Sequence, residues 1–157
     1  MKALCVIFVA LITATWLLPV YGHGDKSTVD TALFVGVDSA PAKTVTRFHA
    51  ALVAGDVATA RALLADDVLI FEGGVERSAD QYASHHMLSD MKFLKQMKQK
   101  ILEHKVDIYG DTAVSSRRTH TTGTYKEKAI DSLGFETLHL VKTTSGWKIS
   151  HIHWSRK

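Results

Sequence analysis

The sequence predicts an α+β domain in which N-terminal helices pack on one face of a strongly curved antiparallel sheet. Three observations carry this reading. Between Pro41 and Leu64 the apolar residues recur at helical spacing. From Val68 the period changes, and from Ile101 onward long β runs are separated by short turns bearing Gly, Asp and Ser. No internal repeat or low-complexity tract interrupts the order, so helices come first and strands after.

The start of the chain stands apart from the fold. Met1 and Lys2 precede an uncharged apolar run from Ala3 to Val20, and Val20-Tyr21-Gly22 places small residues at −3 and −1 of a cleavage site. Residues 1–22 therefore read as a signal peptide, which implies a secreted or periplasmic protein with no stable membrane span after cleavage. Residues 23–41 form a polar leader, and residues 42–157 the folded domain. Cleavage after Gly22 would leave 135 residues (157 − 22), enough for one packed core. The only cysteine, Cys5, lies inside the signal, so the mature domain is expected to hold together by packing without a disulfide. Without Lys2 there are 18 basic residues (19 − 1) against 16 acidic. That balance excludes the electrostatic footprint of a nucleic-acid binder. The local cluster of Lys92, Lys95, Lys98 and Lys100 reads as a solvated face.

Each element has its own signals. Pro41 and Ala42 suit a helix start, Val45, Phe48 and Leu52 supply one apolar side, and Gly55 fits the position just past its end. Asp56 is placed to cap a short second helix carrying Ala60, Leu63 and Leu64. Val68 to Glu72 reads as a short strand turned by Gly73 and Gly74, with Val75 to Arg77 returning. Ser78 and Gln81 make a capping-box pattern for a third helix, predicted to run to Met91 or as far as Met97. Four strands then follow as a meander: Ile101 to Tyr109, Ala113 to Tyr125, Phe135 to Lys142, and Trp147 to Ser155.

This order, with Phe48-His49-Ala50-Ala51-Leu52, Gly55-Asp56 and Leu63-Leu64-Ala65-Asp66-Asp67-Val68 at its start, resembles the nuclear transport factor 2-like, or SnoaL-like, superfamily. The ending Gly146-Trp147-Lys148-Ile149-Ser150-His151-Ile152-His153-Trp154-Ser155 is similar to the last strand of its small secreted stand-alone members, and to the association domain of calcium/calmodulin-dependent kinase. The resemblance implies a cone-shaped, cystatin-like fold, a pocket between sheet and helices, and homodimers formed through the sheet. Its members include isomerases, dehydratases, cyclases, hydrolases, carriers and oligomerisation modules. It leaves the function open.

The last hairpin nominates site residues independently. With a symmetric loop at Thr143–Gly146, Leu140 faces Ile149, Leu138 faces His151, and Glu136 faces His153. One face of the sheet would then carry an apolar end and a His/Glu end, the pattern of a ligand pocket. On the third helix Tyr82, His86, Asp90 and Phe93 share one stripe, and a His86–Asp90 hydrogen bond would orient the imidazole. The expected pocket set is Glu72, Tyr82, His86, Glu136, Leu138, His151 and His153. His86, Asp90, Glu136 and His153 are the acid–base candidates if the protein is an enzyme. His151, His153, Glu136 and His86 are the ligand types for zinc or copper. Arg117 and Arg118 fall on opposite faces of their strand, so only one can reach the pocket. His49, His104, His120 and His139 read as surface or interface residues. Small-ligand binding, metal binding, metal-free acid–base catalysis and a pure association module all remain open at this point.

Overall fold

The computed structural model describes residues 30–157. The predicted signal peptide and the first part of the leader lie outside the described residues. A short strand β1 (Phe34–Val35) precedes helices α1 (Ala40–Ala54) and α2 (Val57–Ala62), then strands β2 (Leu64–Phe71) and β3 (Val75–Glu76). Helices α3 (Ala79–Ser84) and α4 (His86–Leu94) follow, then the meander β4 (Met97–Tyr109), β5 (Thr112–Tyr125), β6 (Lys128–Thr143) and β7 (Gly146–Arg156). The seven strands form one sheet in the order β1-β4-β5-β6-β7-β2-β3.

The sheet is mixed, not wholly antiparallel as predicted. β1 runs parallel to β4 and β2 parallel to β7. Neither of these pairs is joined by a hairpin. The long connections between their members allow parallel docking that a two-residue turn would forbid. The meander itself is antiparallel throughout.

The helix starts follow the expected chemistry. Ser39 Oγ accepts the Ala42 N–H at 3.4 Å, and Gly55 closes α1 in the left-handed conformation at φ 75°. Asp56 accepts the Thr59 N–H at 2.9 Å to cap α2. The first half of the capping box at Ser78 forms, its hydroxyl accepting the Gln81 N–H at 3.1 Å, while the Gln81 side chain accepts the N–H of Arg77, one residue before the cap, at 2.9 Å. α1 turns Val45, Phe48 and Leu52 into a buried cluster shared with Leu138, Leu140, Ile149 and Ile152 of the sheet.

Four boundaries differ from the sequence reading. β2 begins at Leu64, which pairs with Ile149; a register shift before Leu69 coincides with two exposed aspartates, Asp66 and Asp67, that break the apolar alternation. The third helix is two helices, broken at His85 (φ −128°, ψ −85°). The Gln81 carbonyl, which a continuing helix would give to the His85 N–H, accepts from Ser84 Oγ at 3.0 Å and lies 3.3 Å from His85 Nδ1. β4 starts at Met97 and β6 at Lys128, so this hairpin end is longer than predicted. Its residues are mostly not buried, and the backbone ladder sustains it without an apolar pattern.

The decisive difference is a bulge at Ser150. The predicted register holds from Lys142↔Trp147 to Leu140↔Ile149, then shifts, so that His139 pairs with His151, Thr137 with His153 and Glu136 with Trp154. One extra residue turns every later side chain to the other face. Ile149 and Ile152, three apart in sequence, are both fully buried as a result. Fully burying an isoleucine is worth roughly 1.5–3 kcal/mol. The unbulged register would expose Ile152 and Trp154 and bury two imidazoles instead.

Candidate functional site

A cavity of about 140 Å³ lies between the inner face of the sheet and helices α1 and α4. That is the size of void known to accept a benzene ring. Leu52, Phe93, Leu94 and Trp154 supply much of its apolar wall, and Gln99, Thr119, Thr121 and Ser132 a polar one. Glu72 and Asp90 line it on one side, His49, Arg117 and Glu136 at the floor.

The floor is a closed charge network. Glu136, on β6, is buried and receives Trp154 Nε1–H at 2.6 Å and His49 Nε2–H at 3.1 Å. Arg117, facing it from β5, lies 3.7 Å from Glu136 Oε1. Burial alone would raise the Glu136 pKa. The charges of His49 and Arg117 and the hydrogen bonds from His49 and Trp154 outweigh it and hold the value at about 2. Burial lowers the Arg117 pKa, and the Glu136 charge opposes that. Arg117 Nε is buried without a hydrogen-bond partner among the described residues. Behind the pair, His104 is buried and 3.0 Å from Ser115 Oγ. Burial and then the Arg117 charge push His104 down to about 4. Trp154 is fixed between Phe48, stacked at 6.4 Å and 9°, and Tyr82 at 6.2 Å.

The opposite side carries a second acidic pair with the reverse electrostatics. The Tyr82 hydroxyl donates to Asp90 Oδ2 at 2.7 Å. Burial raises the Asp90 pKa, partly offset by that hydrogen bond and by His86. Burial, then the Asp90 charge, push the Tyr82 phenol far above its usual range. Glu72 sits at the rim: as a residue it is exposed, yet its side chain lines the cavity. Desolvation there, with the Asp90 charge, raises its carboxyl to about 7, against the pull of Arg156 and His86. One cavity thus holds a carboxylate kept ionised and a carboxyl poised near neutrality. Such separation of two pKa values marks an acid–base site.

The predicted residues divide as follows. Glu72, Asp90 and Glu136 come together on this cavity, and Tyr82 stands behind it through Asp90. Leu138 is fully buried in the core beneath. His86 does not bond Asp90; its Nδ1 lies 2.5 Å from Glu76 Oε1, because the break at His85 resets the helix phase. His151 and His153 lie on the far face of the sheet, where His151 meets Phe71 edge-on at 5.3 Å. The grouping of His151, His153, Glu136 and His86 as metal ligands is therefore corrected: the bulge separates the two strand histidines from Glu136. Among the described residues no three His, Cys, Asp or Glu side chains form a group suited to a metal ion. Arg117, not Arg118, reaches the cavity, while Arg118 pairs with Glu103 at 3.4 Å. His104 is buried and His49 partly buried on the cavity lining, whereas both read as surface or interface residues in the sequence. The signal for His49 was present: it follows Phe48 in a helix one turn from Leu52, at the edge of the buried stripe.

The sequence profile of the SnoaL-like domain matches residues 42–156. The chain belongs to the SnoaL-like family. Solved structures place the family member within the nuclear transport factor 2-like, cystatin-like fold. It is 50% identical to a candidate ketosteroid isomerase from Shewanella frigidimarina, over 77% of this chain and 98% of that one, with a TM-score of 0.75. A candidate calcium/calmodulin-dependent protein kinase II association domain from Xanthomonas campestris is 24% identical, over 74% and 84% of the two chains, with a TM-score of 0.60. A candidate dehydratase of the nuclear transport factor 2-like family from Streptomyces avermitilis is 18% identical, over 73% and 92%, with a TM-score of 0.62. These last two share the fold alone. No curated protein matches the sequence.

Proposed function

We propose that this SnoaL-like protein binds a small, largely apolar organic molecule in the cavity and moves a proton on it without a metal, with Glu72 as the acid–base group. The observation that carries the reading is the placement of Glu72 at the mouth of an apolar cavity beside Asp90, with its carboxyl near pH 7. Glu136 is too acidic to exchange protons near neutrality and serves as a fixed negative charge balancing Arg117. Arg117 lines the cavity beside Glu136, and its guanidinium supplies positive charge suited to a carbonyl or carboxylate oxygen of the ligand. The similarity to a candidate ketosteroid isomerase supports an isomerisation α to a carbonyl as the first reaction to assay.

The test is a panel of small, single-ring β,γ-unsaturated ketones, followed by the absorbance of the conjugated product. Turnover should rise with an apparent pKa near 7. Glu72→Gln should lower it by about 10²–10⁴-fold. Ligand binding, read from Trp154 fluorescence in a Trp147→Phe background, should persist. A Glu72→Gln variant with undiminished turnover ends the assignment. Binding without turnover by the wild type leaves a carrier.

Two further parts of the reading rest on other features. The apolar run at residues 3–20 supports export. The far face of the sheet, with Phe71 and Phe135 exposed beside His139, His151 and His153, supports a homodimer through the sheet, which sedimentation would check.

A further inference from the structure

Among the described residues, His49 is the one histidine on the cavity lining. Its ring meets Phe48 edge-on at 5.7 Å, and its Nε2 lies 3.1 Å from one Glu136 oxygen and 2.9 Å from the other. Its Nδ1 has no hydrogen-bond partner among the described residues, and it is not closed off from solvent-sized probes as Arg117 Nε is. The two nitrogens therefore have separate duties. Glu136 stays ionised through the neutral range and can only accept, so Nε2 keeps its hydrogen whatever the state of the ring. A carboxylate in that place fixes the tautomer and the ring orientation. Any gain or loss of a proton then falls on Nδ1, the open nitrogen.

A purely structural tie to Glu136 does not account for this arrangement. Trp154 already donates to Glu136 Oε2, and Arg117 already faces Oε1. A proton shift next to a carbonyl, on the other hand, needs a group that Glu72 cannot supply. While Glu72 takes a proton from carbon, negative charge collects on the carbonyl oxygen, and a donor aimed at that oxygen lowers the barrier. The Tyr82 hydroxyl is spent on Asp90. Arg117 contributes charge, but its side chain is only 6% exposed. Gln99, Thr119, Thr121 and Ser132 on the polar wall are neutral donors. His49 alone on the lining can give a proton as well as a hydrogen bond near neutral pH.

We propose that His49, oriented by Glu136, is a second catalytic residue of the cavity, donating from Nδ1 to the carbonyl oxygen of a single-ring ketone while Glu72 moves the proton on carbon. The inference rests on Glu72 as the proton-moving group. The steps balance without a co-reactant. The Glu72 carboxylate takes the proton from the carbon between the carbonyl and the alkene. The C–H electron pair moves toward the carbonyl, and its oxygen takes the Nδ1 proton of the His49 imidazolium, leaving a dienol. Glu72 then gives its proton to the far alkene carbon, the oxygen returns the other to Nδ1, and the double bond is left conjugated. Both groups end as they began. The charged and titratable groups facing His49 are Glu136 from β6, Arg117 from β5 and His104 from β4, with Glu72 and Asp90 on the other side of the cavity.

The test compares a charged oxygen with an uncharged one. 4-Nitrophenolate is a single ring with a conjugated oxyanion, and its colour reports ionisation; cyclohexanone offers the oxygen without the charge. Binding is measured in a Glu72→Gln background, where residue 72 is neutral, as Glu72 is once it holds the ligand's proton. Adding His49→Gln, which still donates to Glu136, should weaken 4-nitrophenolate by about 10–100-fold, the worth of a hydrogen bond to a charged group, and cyclohexanone far less. Equal losses for the two ligands, or no loss for either, overturn the proposal. With Glu72 intact, His49→Gln should lower kcat by about 10²–10³-fold on any ketone that turns over and leave KM nearly unchanged. An undiminished kcat overturns it. A wild type that turns over no ketone fails the Glu72 reading alone, because the binding comparison needs no turnover and still decides His49. Nitrogen-15 NMR needs no variant at His49: 4-nitrophenol should move the His49 Nδ1 signal, and a signal unmoved at saturation overturns the proposal.

Discussion

Replacing Glu136 with glutamine probes the charge balance beneath the cavity. The carboxyl is lowered from 4.5 to about 2. At 1.36 kcal/mol per pKa unit, a displacement of this size corresponds to about 3 kcal/mol of folding stability at neutral pH. A second route reaches a similar figure: losing Glu136 strands Arg117 in the interior, and breaking a buried ion pair costs about 3–5 kcal/mol. The sign follows from the folded pKa lying below the unfolded one. The contribution is complete above about pH 4.5, declines as the pH falls from there, and is gone below about pH 2. Urea unfolding of the wild type, Glu136→Gln, Arg117→Met and the double variant, at pH 7 and at acid pH, reads both quantities. Each single variant should lose about 3 kcal/mol, and the pair should lose less than the two singles together, because it removes both charges. The wild-type advantage over Glu136→Gln should shrink toward pH 2–3. A Glu136→Gln variant within about 0.5 kcal/mol of wild type at pH 7, or strict additivity in the cycle, refutes the coupling.

Other outcomes follow from the same geometry. Glu72 has a folded pKa near 7 against an unfolded 4.5, so its ionisation destabilises the fold as pH rises through that interval; Glu72→Gln should raise the melting temperature at pH 8 relative to wild type and not at pH 5. His104, held down at about 4, should cost stability as pH falls from 6.5 to 4, and His104→Gln should flatten that segment of the unfolding profile. His151→Ala and His153→Ala lie across the sheet from the cavity, so ligand affinity by Trp154 fluorescence should be unchanged in both. Leu138→Ala, at a fully buried position, should destabilise by about 2–5 kcal/mol in urea unfolding.

Some of the site is legible in the chain, and the rest depends on a strand register that the chain does not display locally. The symmetric hairpin puts Glu136 on the inner face opposite His153; the structure keeps it on that face, in alternation with Leu138 and Leu140, but pairs it with Trp154. Glu72, Tyr82 and Asp90 were placed by strand-end and helix-stripe arguments, and they meet around the cavity. A symmetric hairpin puts the strand histidines on the inner face, and the register shift past Ile149 turns them to the other one. The warning was in the sequence: Ile149, Ile152 and Trp154 cannot share a face unless one residue bulges. Weighing two buried apolar side chains against two buried imidazoles would have chosen the bulge.

Local chemistry therefore settled the parts that depend on neighbours in the chain. Ser39, Gly55, Asp56 and Ser78 set where helices begin and end, because a cap needs only residues within one turn. The succession of helical and β periods settled the α+β class. Tertiary structure alone decided what crosses large sequence separations: β2 lying parallel to β7, the bulge at Ser150, and the meeting of His49, Arg117, Glu136 and Trp154. Those contacts are chosen by the competition of whole faces for burial, which no local window of sequence contains.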